Sequence, residues 1–173
     1  MQRSNRMNTE NSLGMEVPNW YILLTKPYGE IFISERLNEL EIDHFLPLAP
    51  IRVGWEKKIV NKRRVIIPRV IFVHISQSRL QGLSEQLTLC VMSSPEKVCC
   101  SAWEIENLKF FFSELISFAD WSFEFGTEQQ NGTIVTLPDG KMKGLKGYMS
   151  ADQAGVIRIS CCGLGSFIVK NKI

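Results

Sequence analysis

"WYILLTKPYGEIFISERLNELEIDHFLPL", residues 20–48, decides how this chain is read. Its first six residues, WYILLT, form an apolar run of β-formers that stops at Lys26-Pro27, which reads as a buried strand. The period then changes. In GEIFISERLNELE, Ile33, Leu37 and Leu40 fall on one helical face, while Glu30, Glu35, Arg36 and Glu39 lie elsewhere. That spacing predicts an amphipathic helix starting just after Pro27. IDHFLPL, residues 42–48, alternates and is closed by proline, so it reads as a second strand.

Working outward, residues 51–75 divide into two halves. Between Arg52 and Arg69 stand seven basic residues, Arg52, Lys57, Lys58, Lys62, Arg63, Arg64 and Arg69, against Glu56 alone, a local net of +6. A hairpin tip carrying that charge belongs in water. Val65–Ile75 is nearly all apolar and β-branched, which marks a central strand, and Pro68 requires a break in the ladder because it has no N–H to donate. SQSRLQGLSEQ (76–86) has room for a short helix, and LTLCVM (87–92) is a strand candidate. SAWEIENLKFFFSELISF (101–118) reads as a helix, with Ser101 and Glu104 in capping-box spacing and Ile105, Leu108 and Phe112 on one face. Residues 18–118 thus read β-α-β-β-β-α, an α+β sandwich of one mainly antiparallel sheet with helices on it.

The remainder has a different texture. Residues 119–131, ending in the polar GTEQQN, read as a linker, and residues 132–173 hold short β-runs with glycine-rich turns and no helical period, as in a small β-barrel. Within it, DGKMKGLKGYM (139–149) poses a choice between a phosphate cradle, a basic nucleic-acid loop and a barrel turn. A P-loop needs Gly-Lys-Ser/Thr leading into a helix, but here Leu145 follows Gly144 and strand-like residues come next. Positive-φ turns are the better reading of Gly140, Gly144 and Gly147.

The totals bound the function. With 173 residues and a formal net charge of +2, the chain has no global basic field, so any nucleic-acid surface is local. The five cysteines include the adjacent pairs Cys99-Cys100 and Cys161-Cys162, with no C-x-x-C spacing and only His44 and His74 as histidine ligands. That pattern argues against a zinc site and a disulfide framework, and for free, mostly buried thiols in a reducing cytoplasm. No cofactor is expected. Residues 1–17 are polar, have no apolar signal-peptide core and read as a disordered tail, and no apolar run is long enough to span a membrane. No catalytic constellation is visible: the histidines have no triad setting, and Glu39 and Glu41 read as solvated.

Two stretches carry a family resemblance. GTIVTLPDGKMKGLKGYM (132–149) resembles the KOW motif, with Gly132, Gly140, Gly144 and Gly147 where that motif expects glycine, although Lys141 stands where proline is common. WYILLTKPYGEIFISERLNELEIDHFLPL resembles the opening of the NusG N-terminal domain, and IIPRVIFVHI resembles the family strand that usually reads Phe-Pro-Gly-Tyr-Val-Phe-Val, with Arg69 and Val70 replacing Gly and Tyr. Together they cover about residues 18–173, and the chain looks most like the specialised RfaH and UpxY-type antiterminators of the NusG/RfaH family.

That resemblance implies a non-enzymatic, cytoplasmic transcription elongation and antitermination factor of bacterial type: an N-terminal NusG-like domain (18–118) and a C-terminal KOW barrel (132–173). It implies binding to the RNA polymerase β′ clamp helices through an apolar patch, for which Leu24, Ile67, Val70 and Phe72 are the positional candidates, Phe72 being the one best explained as core. Lys26 resembles a position near the non-template strand, with Tyr28 beside it as a candidate stacking platform. Lys57, Lys58, Lys62, Arg63 and Arg64 suit contact with upstream DNA or the polymerase, although a charge run of this kind also suits a plain solvated hairpin. The barrel would recruit a partner such as Rho or ribosomal protein S10, or mask the patch. Two other readings stay open: a KOW-containing RNA- or ribosome-binding protein and, last, a cysteine-dependent enzyme.

Overall fold

The structure, a computed structural model, describes residues 16–55, 58–87, 99–117, 120–126, 133–140, 142–149 and 155–170. The fold is α+β, with largely antiparallel sheets and few helices. Strand β1 (Asn19–Leu24) runs antiparallel to β5 (Val70–Ile75) along its whole length, with Trp20 opposite His74 and Leu24 opposite Val70. β2 (His44–Phe45) joins the outer side of β5, and β6 (Cys99–Cys100) joins the outer side of β1, giving the order β2-β5-β1-β6. Successive strand side chains point to opposite faces, and both faces here are buried. Tyr21, Leu23, Ile71, Val73 and Ile75 pack with Ile33 and Leu37 of α1 (Glu30–Glu39) and Leu80 and Leu83 of α2 (Gln77–Gln86). Trp20, Val70 and Phe72 join a second cluster with Ile105 and Leu108 of α3 (Ala102–Phe110). The Trp20-Tyr21 pair therefore anchors two cores at once, one residue on each face.

Most of the expected elements around this sheet are present; of the strand expected over 42–48 only His44–Phe45 pairs as β2, and Leu48 already belongs to the next strand. The charged hairpin is β3 (Leu48–Trp55) paired with β4 (Lys58–Val65) as a separate two-stranded sheet. The apolar run expected as one strand from Val65 is split: Val65 ends β4, the chain turns through residues 66–69, and β5 begins at Val70. Pro68 lies in that turn, and Arg69 completes it at φ +67. The strand candidate at 87–92 falls, beyond Leu87, outside the described residues. α3 starts at the expected box, with the Ser101 N–H and hydroxyl both donating to Glu104 Oε2. Its end widens into a π-turn over Phe111–Leu115 that buries Phe111, Phe112 and Leu115.

Residues 120–125, expected within a linker, instead form β7 (Asp120–Phe125), paired along its length with β11 (Gly165–Lys170). The reason is legible in DWSFEF, whose aromatics alternate: Trp121 and Phe123 pack onto the core, and Phe123 lies opposite Phe167. With β8 (Ile134–Thr136), β9 (Lys146–Met149) and β10 (Val156–Ser160), these strands form an antiparallel sheet in the order β7-β11-β10-β9-β8. Glu16, expected in the tail, is fixed: its carboxylate accepts hydrogen bonds from the backbone N–H and hydroxyl of Ser78. Those bonds hold its pKa below the usual carboxylate range.

Candidate functional site

The far end of the β1–β5 ladder is held by two interlocked turns. Thr25 N–H donates to Arg69 O at 2.8 Å, and Arg69 Nε–H donates back to Thr25 O at 3.0 Å. The Arg69 N–H donates at 2.6 Å to Oε1 of Glu30, a carboxylate buried at the start of α1. The first turn, Lys26-Pro27-Tyr28-Gly29, closes by Gly29 N–H to Lys26 O at 3.0 Å, and places Tyr28 at φ +63 with its side chain 98% exposed. Proline second and positive φ third is the pattern of a type II turn, in which glycine normally holds Tyr28's place. Lys26 is exposed on the same turn.

The candidate patch sits against this construction. Leu24 is 39% exposed at the end of β1, next to Val70 in register. Ile67, Val70 and Phe72 are buried, in the cluster that also holds α3 and the C-terminal sheet. A run of rings spans that cluster: Phe72 stacks on Phe45 at 5.8 Å, Phe45 meets Phe112 edge-on at 5.7 Å, and Phe112 meets Phe167 of β11 edge-on at 5.4 Å. Leu24 is thus the open member of the set, and the other three lie within an apolar layer shared by the two sheets.

Two polar contacts fix that layer. The buried Asn107 of α3 donates from Nδ2 to Lys146 O at 2.7 Å and accepts the Lys146 N–H on Oδ1 at 2.8 Å, so one carboxamide pairs both main-chain groups of a β9 residue. Ser160 of β10 donates to Glu104 Oε1 at 2.7 Å, leaving the cap of α3 bonded at both carboxylate oxygens. Sequence reasoning missed both contacts. The available signal was an asparagine between Ile105 and Leu108, the apolar residues of the helix's buried side.

In the stretch 139–149, the described residues up to Leu145 turn the chain into β9, and Lys141 lies outside the described residues. Gly140 and Gly144 take φ +74 and +90, and Gly144 N–H donates to Leu137 O at 2.8 Å. Between and after them, Met142 and Leu145 enter the core. Gly147 differs from its neighbours. It is a strand residue whose Cβ would overlap the Ile157 side chain and come within 2.8 Å of Arg158 O, so close strand approach, not positive φ, requires glycine there.

On the charged hairpin, Lys62, Arg63 and Arg64 are exposed, and no acid among the described residues pairs with them. Lys58 opens β4, and Lys57 lies outside the described residues. The histidines have local roles: His44 bonds Ser34 Oγ at 2.7 Å, and His74 stacks on Trp20 at 5.0 Å. Among the described residues no group of three or more His, Cys, Asp or Glu is placed to hold a metal ion, and no helix is long and apolar enough to cross a membrane.

No family model and no curated protein matches the chain. Among solved structures it is similar to one reported as "Domain interaction in Thermotoga maritima NusG", at 14% identity over 90% of this chain and 98% of that one, with a TM-score of 0.39. A likeness of that size carries neither a fold assignment nor a function, and the function proposed for this chain rests on its residues and their placement.

Proposed function

We propose that this chain is a non-enzymatic transcription elongation and antitermination factor of the NusG/RfaH kind, related to its UpxY-type members, that docks on the β′ clamp helices of RNA polymerase and suppresses pausing or termination. The observation that carries the reading is the position of Leu24: an exposed leucine at the strand end where the resemblance expects the polymerase contact, in register with Val70 and on the edge of the apolar layer holding Ile67 and Phe72. Helix recognition by a protein surface needs a contiguous apolar seat. In this reading Leu24 makes first contact, and the three covered residues complete the seat when the KOW-like unit moves aside together with β7, which is paired to it. Lys26, Lys62, Arg63 and Arg64 then face nucleic acid: non-template DNA at the turn, upstream DNA at the hairpin. The KOW-like unit is left to bind a recruitment partner such as Rho or ribosomal protein S10.

The test is affinity for core RNA polymerase. Leu24→Asp, at a site exposed enough to accept a carboxylate, is expected to lower affinity at least ten-fold with the fold intact by circular dichroism. Equal affinity of variant and parent refutes the seat. The exposed basic triplet of β4 also suits an RNA- or ribosome-binding protein, and tight ribosomal RNA binding without polymerase affinity would favour that reading instead.

A further inference from the structure

The turn Lys26-Pro27-Tyr28-Gly29 has a twin. Across the end of the β1–β5 ladder, Val70 N–H donates to Ile67 O at 3.4 Å and closes Ile67-Pro68-Arg69-Val70. Each turn has proline second and a positive-φ residue third, Tyr28 at +63 and Arg69 at +67, where glycine is the residue without a steric cost. The Arg69 side chain is used within the chain: its Nε–H bonds Thr25 O at 3.0 Å. The Tyr28 side chain is not, because it is 98% exposed. Strained residues gather at ligand clamps, and they persist only where their neighbours hold the backbone in place.

Arg69 does that holding. Thr25, the residue before the Tyr28 turn, donates its N–H to Arg69 O at 2.8 Å and accepts the Arg69 Nε–H. Glu30, the residue after the turn, accepts the Arg69 N–H on Oε1 at 2.6 Å. Both ends of the four-residue turn are thus bound to one residue of its twin. The Glu30 carboxylate is 6% exposed at the first position of α1, and a buried carboxylate is stable only when it is bonded. This clamp belongs to the present chain: Arg69 stands where the resembled strand usually has glycine, which has no side chain to reach Thr25 O.

We propose that Tyr28 is a stacking platform for an unpaired base of single-stranded DNA, and that Glu30 and Arg69 are the positioning residues that hold it. The proposal rests on the reading above that the Lys26 turn faces non-template DNA, and adds the base contact and the residues that set it. Every base has a π-face, so a fixed ring binds single strands with little regard to sequence. A ring whose backbone is already locked loses less freedom on binding. Lys26, exposed two residues before Tyr28, suits an adjoining phosphate. Ile31 and Phe32, three and four residues after Tyr28 in the first turn of α1, are 54% and 53% exposed and widen the apolar ground. The turn itself holds a cation and a ring and no acid, and the acid that follows it is buried against the Arg69 N–H. That composition favours a nucleic acid over a protein surface.

The experiment follows the fluorescence anisotropy of a short end-labelled oligodeoxynucleotide of mixed sequence, single-stranded and as a duplex, with the folded full chain over a range of salt. Tyr28→Gly should lower single-strand affinity about five-fold or more, with duplex affinity and salt slope unchanged and stability no lower than the parent's. Tyr28→Phe should restore what Tyr28→Gly loses. Glu30→Ala should lose as much as Tyr28→Gly, again at an unchanged salt slope, and Glu30→Gln, whose carboxamide oxygen still accepts the Arg69 N–H, should restore it. A merely structural role would move the unfolding midpoint and not the ratio of single-strand to duplex affinity. Lys26→Glu should weaken binding and make its salt dependence shallower. Equal single-strand affinity of Tyr28→Gly and parent, an equal loss on the duplex, or no single-strand binding by the parent overturns the stacking proposal. Unchanged affinity in a folded Glu30→Ala removes the positioning role, and the Tyr28 variants decide the stacking even if Glu30→Ala fails to fold. If Lys26→Glu changes neither affinity nor slope, the DNA reading of the turn fails as well. If Lys26→Glu weakens binding and Tyr28→Gly does not, the stacking alone fails.

Discussion

Asn107→Ala is the most informative single change for the structure itself. It removes two hydrogen bonds, of 2.7 and 2.8 Å, and leaves the N–H and C=O of Lys146 without their partner. An orphaned buried polar group costs about 1–3 kcal/mol. Lys146 lies at an exposed position, so water will reach part of the strand, and the lower figure applies to each group: about 2 kcal/mol for the pair. Asn107→Asp keeps an acceptor for the Lys146 N–H but sets a carboxylate oxygen against the Lys146 carbonyl, and should cost at least as much. The assay is equilibrium urea unfolding of the full chain, comparing midpoints at constant slope. About 2 kcal/mol is roughly a thirty-fold change in a two-state equilibrium. If the two sheets separate before the chain unfolds, the same change appears as faster amide exchange in β9 and α3. A loss under about 0.5 kcal/mol, with exchange unchanged, refutes the view that this carboxamide fixes the layer.

Three further outcomes are expected. Gly147→Ala drives a methyl group against Ile157 and the Arg158 carbonyl and should destabilise by about 1–3 kcal/mol, read from the urea midpoint. Tyr28→Gly relieves a positive-φ residue whose side chain touches little, and should leave stability unchanged or raise it by up to about 1 kcal/mol; a clear drop would mean Tyr28 has a packing role. Reversing Lys62, Arg63 and Arg64 to Glu should weaken binding to DNA in filter or anisotropy assays, with a shallower dependence on salt, because fewer neutralised phosphates release fewer counterions; an unaltered salt slope would assign the hairpin to solvation alone.

What the sequence made legible follows from which forces are local. α1 and α3 were readable because an apolar stripe and a capping box repeat within one or two turns, and β1 because WYILLT is bounded by Lys26-Pro27. The positive φ of Gly140 and Gly144 was readable for the same reason. β7 is hard to see although Trp121, Phe123 and Phe125 alternate, because the polar GTEQQN beside it outweighs a six-residue pattern. The split of Val65–Ile75 was half visible: Pro68 announced a break, but only the pairing of β4 with β3 shows that Val65 belongs to another sheet. The candidate site was legible as positions along the chain, not as an arrangement. Nothing local says that Ile67 and Phe72 share a layer with Phe167, since that layer is a product of how distant strands stack.

The proposed grip of the surface around Leu24 on the clamp helices of RNA polymerase is open to a direct measurement. A photo-crosslinking amino acid is placed at position 24 of the full chain and its adducts are mapped on transcribing polymerase. One dominant adduct on the β′ clamp helices, suppressed by unlabelled chain, is expected. Adducts on ribosomal RNA or on another polymerase subunit, or none with the polymerase bound, would contradict it.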